Sequence, residues 1–221
     1  FDKLIDCLGA DHHGYIERMK SSLVMLGHNA SDLDIELIQM VRLFKDGEEY
    51  KMSKRTGNAI SMKELCEEVG IDAVRYFFVS RAASSHLDFD LDLASKMESS
   101  NPVYYAQYAH ARLCAVLEKG KAYQLDLSCK GLGSEKEIAL MKILVDFPKE
   151  VSQCASQRAP YKMTNYIQKL ATAIHEFYSD CRIVDENNVE LTSSRLALSK
   201  ASQIVMKNAL DTIGVTAPEK M

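Results

Sequence analysis

Apolar positions along the first 90 residues change period several times, which is the pattern of mixed α/β structure. Leu4-Ile5-Asp6-Cys7-Leu8 is a short apolar run closed by Gly9, the length of a buried strand, and Ile16 to Leu26 then repeats apolar residues at helical spacing. Glu36 to Phe44 alternates and predicts a single strand with Leu37, Met40 and Leu43 among its apolar members. Asp46-Gly47 follows as a hairpin turn, because both central residues of the favoured turn need positive φ. The return strand runs through Glu49 and Tyr50 into Lys51. Ser61-Met62-Lys63-Glu64 has the form of a capping box and predicts a helix to about Val69, with a second from Asp72 through Arg81.

Beyond Asp92 the period becomes helical and stays so. Asn101-Pro102 starts a helix with a capping side chain and a proline whose missing N–H is not needed there, and the helix is predicted to reach Lys119. Further helices are predicted over 134–145, 148–157, 160–181 and 192–213, with Pro148 breaking or kinking its pattern. Polar stretches at 120–133 and 184–190 read as surface loops. The expected fold class is mainly α, with a domain boundary near residue 92: residues 1–92 of mixed structure and a helical domain over 93–221.

Composition narrows the function classes. The chain has 221 residues, 47% hydrophobic and 26% charged, enough for one or two cores. No apolar stretch approaches the roughly 18 residues of a bilayer span and no leader pattern opens the chain, so a cytoplasmic protein without membrane partners is expected. The six cysteines are scattered without a CxxC pair, which argues against a zinc site or a disulfide framework. The net charge of −4 hides an asymmetry: residues 1–95 hold 11 Lys and Arg against 17 Asp and Glu, leaving 16 against 14 for the rest. The second half is the one better suited to face RNA.

Candidate chemistry concentrates in three places. Lys51-Met52-Ser53-Lys54-Arg55-Thr56-Gly57-Asn58 follows the hairpin and carries two lysines able to approach a polyphosphate, beside small hydroxyl and backbone donors. From charge alone a solvated basic surface loop is the favoured reading. Gly9, Asp11, His12 and His13 lie where a strand ends, a common ligand position in open α/β sheets. Adjacent helical residues point about 100° apart, so the two histidines are poorly placed to share a metal, and a polar helix start capped by Asp11 is the alternative. On the helix from Asn101, Val103, Ala106, His110, Leu113 and Leu117 share one face, while Asn101, Tyr105, Tyr108 and Arg112 share the other. Phenols and a guanidinium in such a row stack on unpaired bases and contact phosphates, or pack on a neighbouring helix.

Lys51-Met52-Ser53-Lys54 resembles the KMSKS signature of class I aminoacyl-tRNA synthetases, with Arg55 at the fifth position. Asp72-Ala73-Val74-Arg75-Tyr76-Phe77 is similar to the DALR stretch, and Leu87 to Asp92 to the segment leading into the anticodon-binding domain; the arginyl and cysteinyl enzymes share both. Asn101 to Arg112 and the tail ending at Met221 resemble the arginyl family. The resemblance implies the last part of a Rossmann-like α/β catalytic domain followed by an α-helical anticodon-binding bundle. It implies ATP binding by Lys51, Met52, Ser53 and Lys54, with Lys51 and Lys54 acting catalytically, and an adenylate pocket bordered by Gly9, Asp11, His12 and His13. It also implies contact of Tyr105, Arg112 and Met221 with tRNA for arginine. Arginine, ATP and magnesium accompanying the ATP are the other substrates and cofactors of a monomeric arginine–tRNA ligase. No HIGH signature occurs, and Leu26-Gly27-His28-Asn29 does not replace it. The chain is therefore expected to be the C-terminal portion of a longer ligase and inactive alone; a cysteinyl enzyme and a tRNA-binding module without ligase activity stay open.

Overall fold

The computed structural model describes residues 2–50 and 60–221. The chain forms two compact units, Phe1–Ala59 with Arg81–Leu91, and Ile60–Ser80 with Asp92–Met221.

In the first unit β1 (Leu4–Gly9) leads through a 3-10 turn (Ala10–Tyr15) into α1 (Ile16–Met25) and returns as β2 (Leu33–Ile38). The two strands are parallel, in register from Leu4 opposite Leu33 to Gly9 opposite Ile38. β3 (Val41–Lys45) pairs antiparallel with β4 (Glu48–Glu49) and parallel with β5 (Leu87–Asp90). Between β3 and β4, Asp46 (φ 54°) and Gly47 (φ 77°) are both left-handed, as the predicted hairpin turn requires. β5 alternates in burial, placing Leu87 and Phe89 inward against β3, where Leu43 is also buried.

The single strand predicted over 36–44 is two strands in two sheets. At Gln39 the backbone changes partners: its N–H donates to the Ala83 carbonyl at 2.8 Å, and the Met40 carbonyl accepts from Leu87 N at 3.3 Å. Apolar residues keep one phase through Leu33, Ile35, Leu37, Val41 and Leu43, so the alternation itself does not mark the break. Gln39, a polar residue at an apolar-phase position, is the only local sign of it.

The second unit is helical: α2 (Met62–Val69), α3 (Ile71–Val79), α5 (Pro102–Lys119), α6 (Glu135–Ser156), α7 (Tyr161–Asp180) and α8 (Val189–Thr212), with the short α4 (Leu91–Ser95) at its entry. Helix starts follow the sequence signals. Ser61 and Ser134 make capping boxes with Glu64 and Glu137, and Asn101 and Asn188 accept from Val103 N and Leu191 N. The core is built from inward side chains of α5, α7 and α8, including Leu113, Ile167, Ile174, Phe177 and Met206, all fully buried. Gly120 ends α5 so close to α8 that a Cβ there would meet Leu196 Cδ2 at 2.5 Å.

The break expected at Pro148 does not occur: α6 runs from Glu135 through Ser156 with the proline inside it. Proline removes one helical donor and crowds the carbonyls of the preceding turn. The carbonyl deprived of its donor is that of Leu144; its neighbour Ile143 accepts from the Tyr166 hydroxyl of α7 at 3.0 Å, one of the ties between the two helices. Packing of α6 along α7 thus overrides the local signal.

At the start of α6, Glu137 is 1% exposed and binds in three directions. Oε2 accepts from the amides of Gly133 and Ser134, each at 2.8 Å, and Oε1 accepts from Arg195 Nε of α8 at 2.7 Å. Burial works to raise the Glu137 carboxyl, but the two amides and the guanidinium outweigh it and hold it below the usual carboxylate range.

Candidate functional site

Lys51, Met52, Ser53 and Lys54 lie outside the described residues. The chain approaches them along β4, after which Tyr50 N–H donates to the Leu43 carbonyl at 2.7 Å.

At the end of β1, Gly9 is extended (φ −62°, ψ 149°) and the 3-10 turn begins at Ala10. Asp11 does not cap it; that position belongs to Gly9 and no side chain bonds to the turn's start. The Asp11 carboxylate instead lies 3.4 Å from His12 Nε2, and a Cβ on Gly9 would stand 2.6 Å from Asp11 Oδ1. The His12 ring lies 5.6 Å from that of Tyr15, over which Arg18 Cζ sits at 5.4 Å. Asp11, His12 and His13 are all exposed. The turn therefore presents a carboxylate and two imidazoles to solvent at the carboxyl end of a parallel strand, where hydrogen bonding to a polar ligand needs little rearrangement. Among the described residues no cluster of three or more His, Cys, Asp or Glu is placed to hold a metal.

The polar face of α5 is more organised than its sequence suggests. Tyr104 and Tyr108 stack with centroids 5.8 Å apart and planes inclined by 19°. Arg112 continues the row, with Cζ 4.6 Å from the Tyr108 ring and 4.9 Å from that of Tyr178 on α7. Such a guanidinium–aromatic stack holds the cation without neutralising it. Tyr105 turns toward α7: its ring lies 4.4 Å from His175 and its hydroxyl reaches Thr172 Oγ1 at 3.5 Å. Arg112 Nη1 reaches His175 Nδ1 at 3.2 Å. Asn101, placed with these residues by helical geometry, is instead a buried cap whose Nδ2 donates to the carbonyls of Ala94 (3.1 Å) and Lys96 (2.8 Å).

Sequence reasoning missed Tyr104, His175 and Tyr178. Tyr104 had a signal in the spacing 104, 108, 112, one residue per turn on one stripe. His175 and Tyr178 join the group only through the packing of α7 on α5.

Beside this group, α3 and α5 hold a clasp on residues 213–218. Asp72 accepts from the Thr216 amide at 3.1 Å and from Gln107 Nε2 at 2.7 Å, and the Thr216 hydroxyl donates to it as well. Arg75 Nε donates to the Ile213 carbonyl at 3.3 Å, and His110 Nδ1 to the Pro218 carbonyl at 2.9 Å. The Asp and Arg of the DALR-like stretch thus anchor the segment after α8. Met221, 53% exposed, lines a cavity of about 500 Å³ with Tyr104, Gln107 and the α2–α3 turn. Tyr76 of the same stretch is buried; its hydroxyl donates to the Thr164 carbonyl at 3.2 Å and accepts from Gln168 Nε2 at 2.7 Å, and burial pushes its pKa up to about 12.

Comparison with known proteins shows what the chain is similar to. A family model described as tRNA synthetases class I (M) matches residues 31–109, and one described as the DALR anticodon binding domain matches residues 106–221. The arginine–tRNA ligases of Bacillus subtilis and Bacillus velezensis are each 53% identical over 225 aligned residues, covering 100% of this chain. The chain spans 40% of the length of these curated relatives. A solved structure of a candidate arginyl-tRNA synthetase from Campylobacter jejuni superposes with a TM-score of 0.89 at 36% identity, over 99% of this chain and 48% of that one. The Thermus thermophilus arginyl-tRNA synthetase, at 22% identity and a TM-score of 0.78 over 100% of this chain and 41% of that one, shares the fold. With residues 106–221, a match longer than half of the chain, taking in Tyr108, Arg112, His175, Tyr178 and the segment after α8, the chain belongs to the DALR anticodon binding domain family and is similar throughout to arginine–tRNA ligases.

Proposed function

We propose that this chain is the C-terminal portion of a monomeric, cytoplasmic arginine–tRNA ligase, holding tRNA for arginine on its helical unit and ATP through its Lys51–Lys54 segment. The observation that carries the reading is the row Tyr104, Tyr108, Arg112, Tyr178, which offers aromatic rings and a cation with no carboxylate partner among the described residues, on helices that lie largely within the anticodon-binding family match. Tyr105 and Arg112 contact the anticodon loop, and Met221 borders the same surface. Residues 1–92 serve the nucleotide and 93–221 serve the tRNA.

In the complete enzyme the arginine carboxylate attacks the α-phosphate of ATP, forming arginyl-adenylate and pyrophosphate, and a hydroxyl of the terminal ribose of the tRNA then takes the arginyl group with release of AMP. Lys51 and Lys54 stabilise charge on the departing pyrophosphate, Met52 and Ser53 lie beside the nucleotide, and magnesium arrives with ATP. Gly9, Asp11, His12 and His13 border the adenylate; their exposed side chains at the end of β1 support this. No helix among the described residues is long and apolar enough to cross a membrane.

The test is arginine-dependent ATP–pyrophosphate exchange in the presence of tRNA, run on the chain and on the product of the complete reading frame. Exchange by the latter alone, reduced at least tenfold by Lys51→Ala or Lys54→Ala, is the expected result. Exchange by the isolated chain, or charging with cysteine in place of arginine, would sink the reading.

A further inference from the structure

Arg112 is stacked between Tyr108 and Tyr178, but stacking alone leaves a planar guanidinium free to turn in its own plane. His175 removes that freedom. Its Nε2 lies 3.2 Å from the Tyr105 carbonyl, and its Nδ1 lies 3.2 Å from Arg112 Nη1. A carbonyl oxygen only accepts, so Nε2 carries the hydrogen; a guanidinium only donates, so Nδ1 is the bare nitrogen. One neutral tautomer satisfies both contacts. The ring is fixed further by Tyr105 at 4.4 Å and Tyr108 at 5.9 Å. The titratable and charged groups against it are Tyr105, Tyr108 and Arg112 of α5, while the neighbouring Glu176 pairs with Lys136 of α6 at 2.9 Å.

We propose that His175 is a positioning residue for RNA recognition: as a neutral imidazole it orients Arg112 so that the remaining guanidinium donors address a phosphate of the bound RNA. The proposal rests on the tRNA-binding role of Arg112 given above. Protonation of His175 sets a donor against a donor at Nδ1 and releases Arg112. Burial pushes the His175 pKa down and the charge of Arg112 acts the same way, against the opposing bond to Tyr105, so the imidazole is neutral at pH 7.5.

The test measures affinity of the chain for an in vitro transcript of a tRNA with an arginine anticodon at pH 7.5. The variants are Arg112→Ala, His175→Phe, His175→Asn and the double variant Arg112→Ala with His175→Phe, each checked by thermal melting. His175→Phe keeps the ring and removes the acceptor; His175→Asn returns an acceptor oxygen near the position of Nδ1. Expected results are a loss of about tenfold for Arg112→Ala, a similar loss for His175→Phe, recovery of most of the affinity in His175→Asn, and no further loss in the double variant. Weak binding by Arg112→Ala with wild-type binding by His175→Phe, or losses that multiply in the double variant, overturns the positioning role alone. Wild-type binding by Arg112→Ala overturns it together with the RNA contact on which it rests.

Discussion

Replacing Glu137 by glutamine tests how the helical unit holds itself together. The carboxylate joins the start of α6 to α8 by accepting from two loop amides on one oxygen and from Arg195 on the other. Glutamine has one acceptor oxygen and one amide donor, so it satisfies one side and sets N–H against N–H on the other. If the oxygen stays with the Gly133 and Ser134 amides, Arg195, which is 15% exposed at its side chain, loses its carboxylate. A hydrogen bond to a charged group contributes roughly 1.5–3 kcal/mol, and stranding a buried partner adds to the loss, so about 3 kcal/mol is expected. For a chain of this size that is a fall of roughly 6–12 °C in melting temperature. Because the Glu137 carboxyl is depressed in the folded state, its contribution is complete above the ordinary value of 4.5 and is lost as pH falls through the lower folded value. Circular dichroism melts from pH 7 to pH 3 check this: the gap between wild type and Glu137→Gln should be widest at pH 7 and should close with acidification. A gap below about 0.5 kcal/mol at pH 7, or one that does not narrow in acid, would refute the reasoning.

Gly214 lies at φ +70°, where a Cβ would stand 2.4 Å from Arg75 Nε, so Gly214→Ala should displace the 213–218 segment, cost about 2 kcal/mol or more, and weaken tRNA binding together with stability; denaturant titration and filter binding read the two effects. Tyr166→Phe removes the donor to Ile143 and should cost about 1 kcal/mol, while Pro148→Ala restores an N–H toward the different carbonyl of Leu144 and should stabilise independently. Chemical denaturation of the single and double variants should show the two effects adding; strong non-additivity would contradict this.

Local chemistry wrote much of this fold plainly. Ser61 with Glu64, Asn101 with Pro102, and Asp46 with Gly47 each sit where their side chains or backbone freedom place them, because each signal is satisfied within four residues. Long-range packing is harder to read. The change of sheets at Gln39 depends on partners at Ala83 and Leu87, and the continuity of α6 through Pro148 on packing against another helix. The same division runs through the interface. Tyr108 and Arg112 are legible as a stripe on α5, but His175 and Tyr178 lie more than 60 residues away and reach Arg112 only once α7 has packed. The DALR-like stretch marks the family, yet the task of Asp72 and Arg75, anchoring the chain after α8, is visible only in three dimensions.

The central claim is that the half-buried polar face of α5, with Tyr105 and Arg112, holds tRNA. Filter binding of a tRNA transcript with an arginine anticodon to wild type, Tyr105→Ala and Arg112→Ala measures it directly. The account predicts about tenfold weaker binding for each substitution, with helical content unchanged. Wild-type affinity in both variants would contradict it.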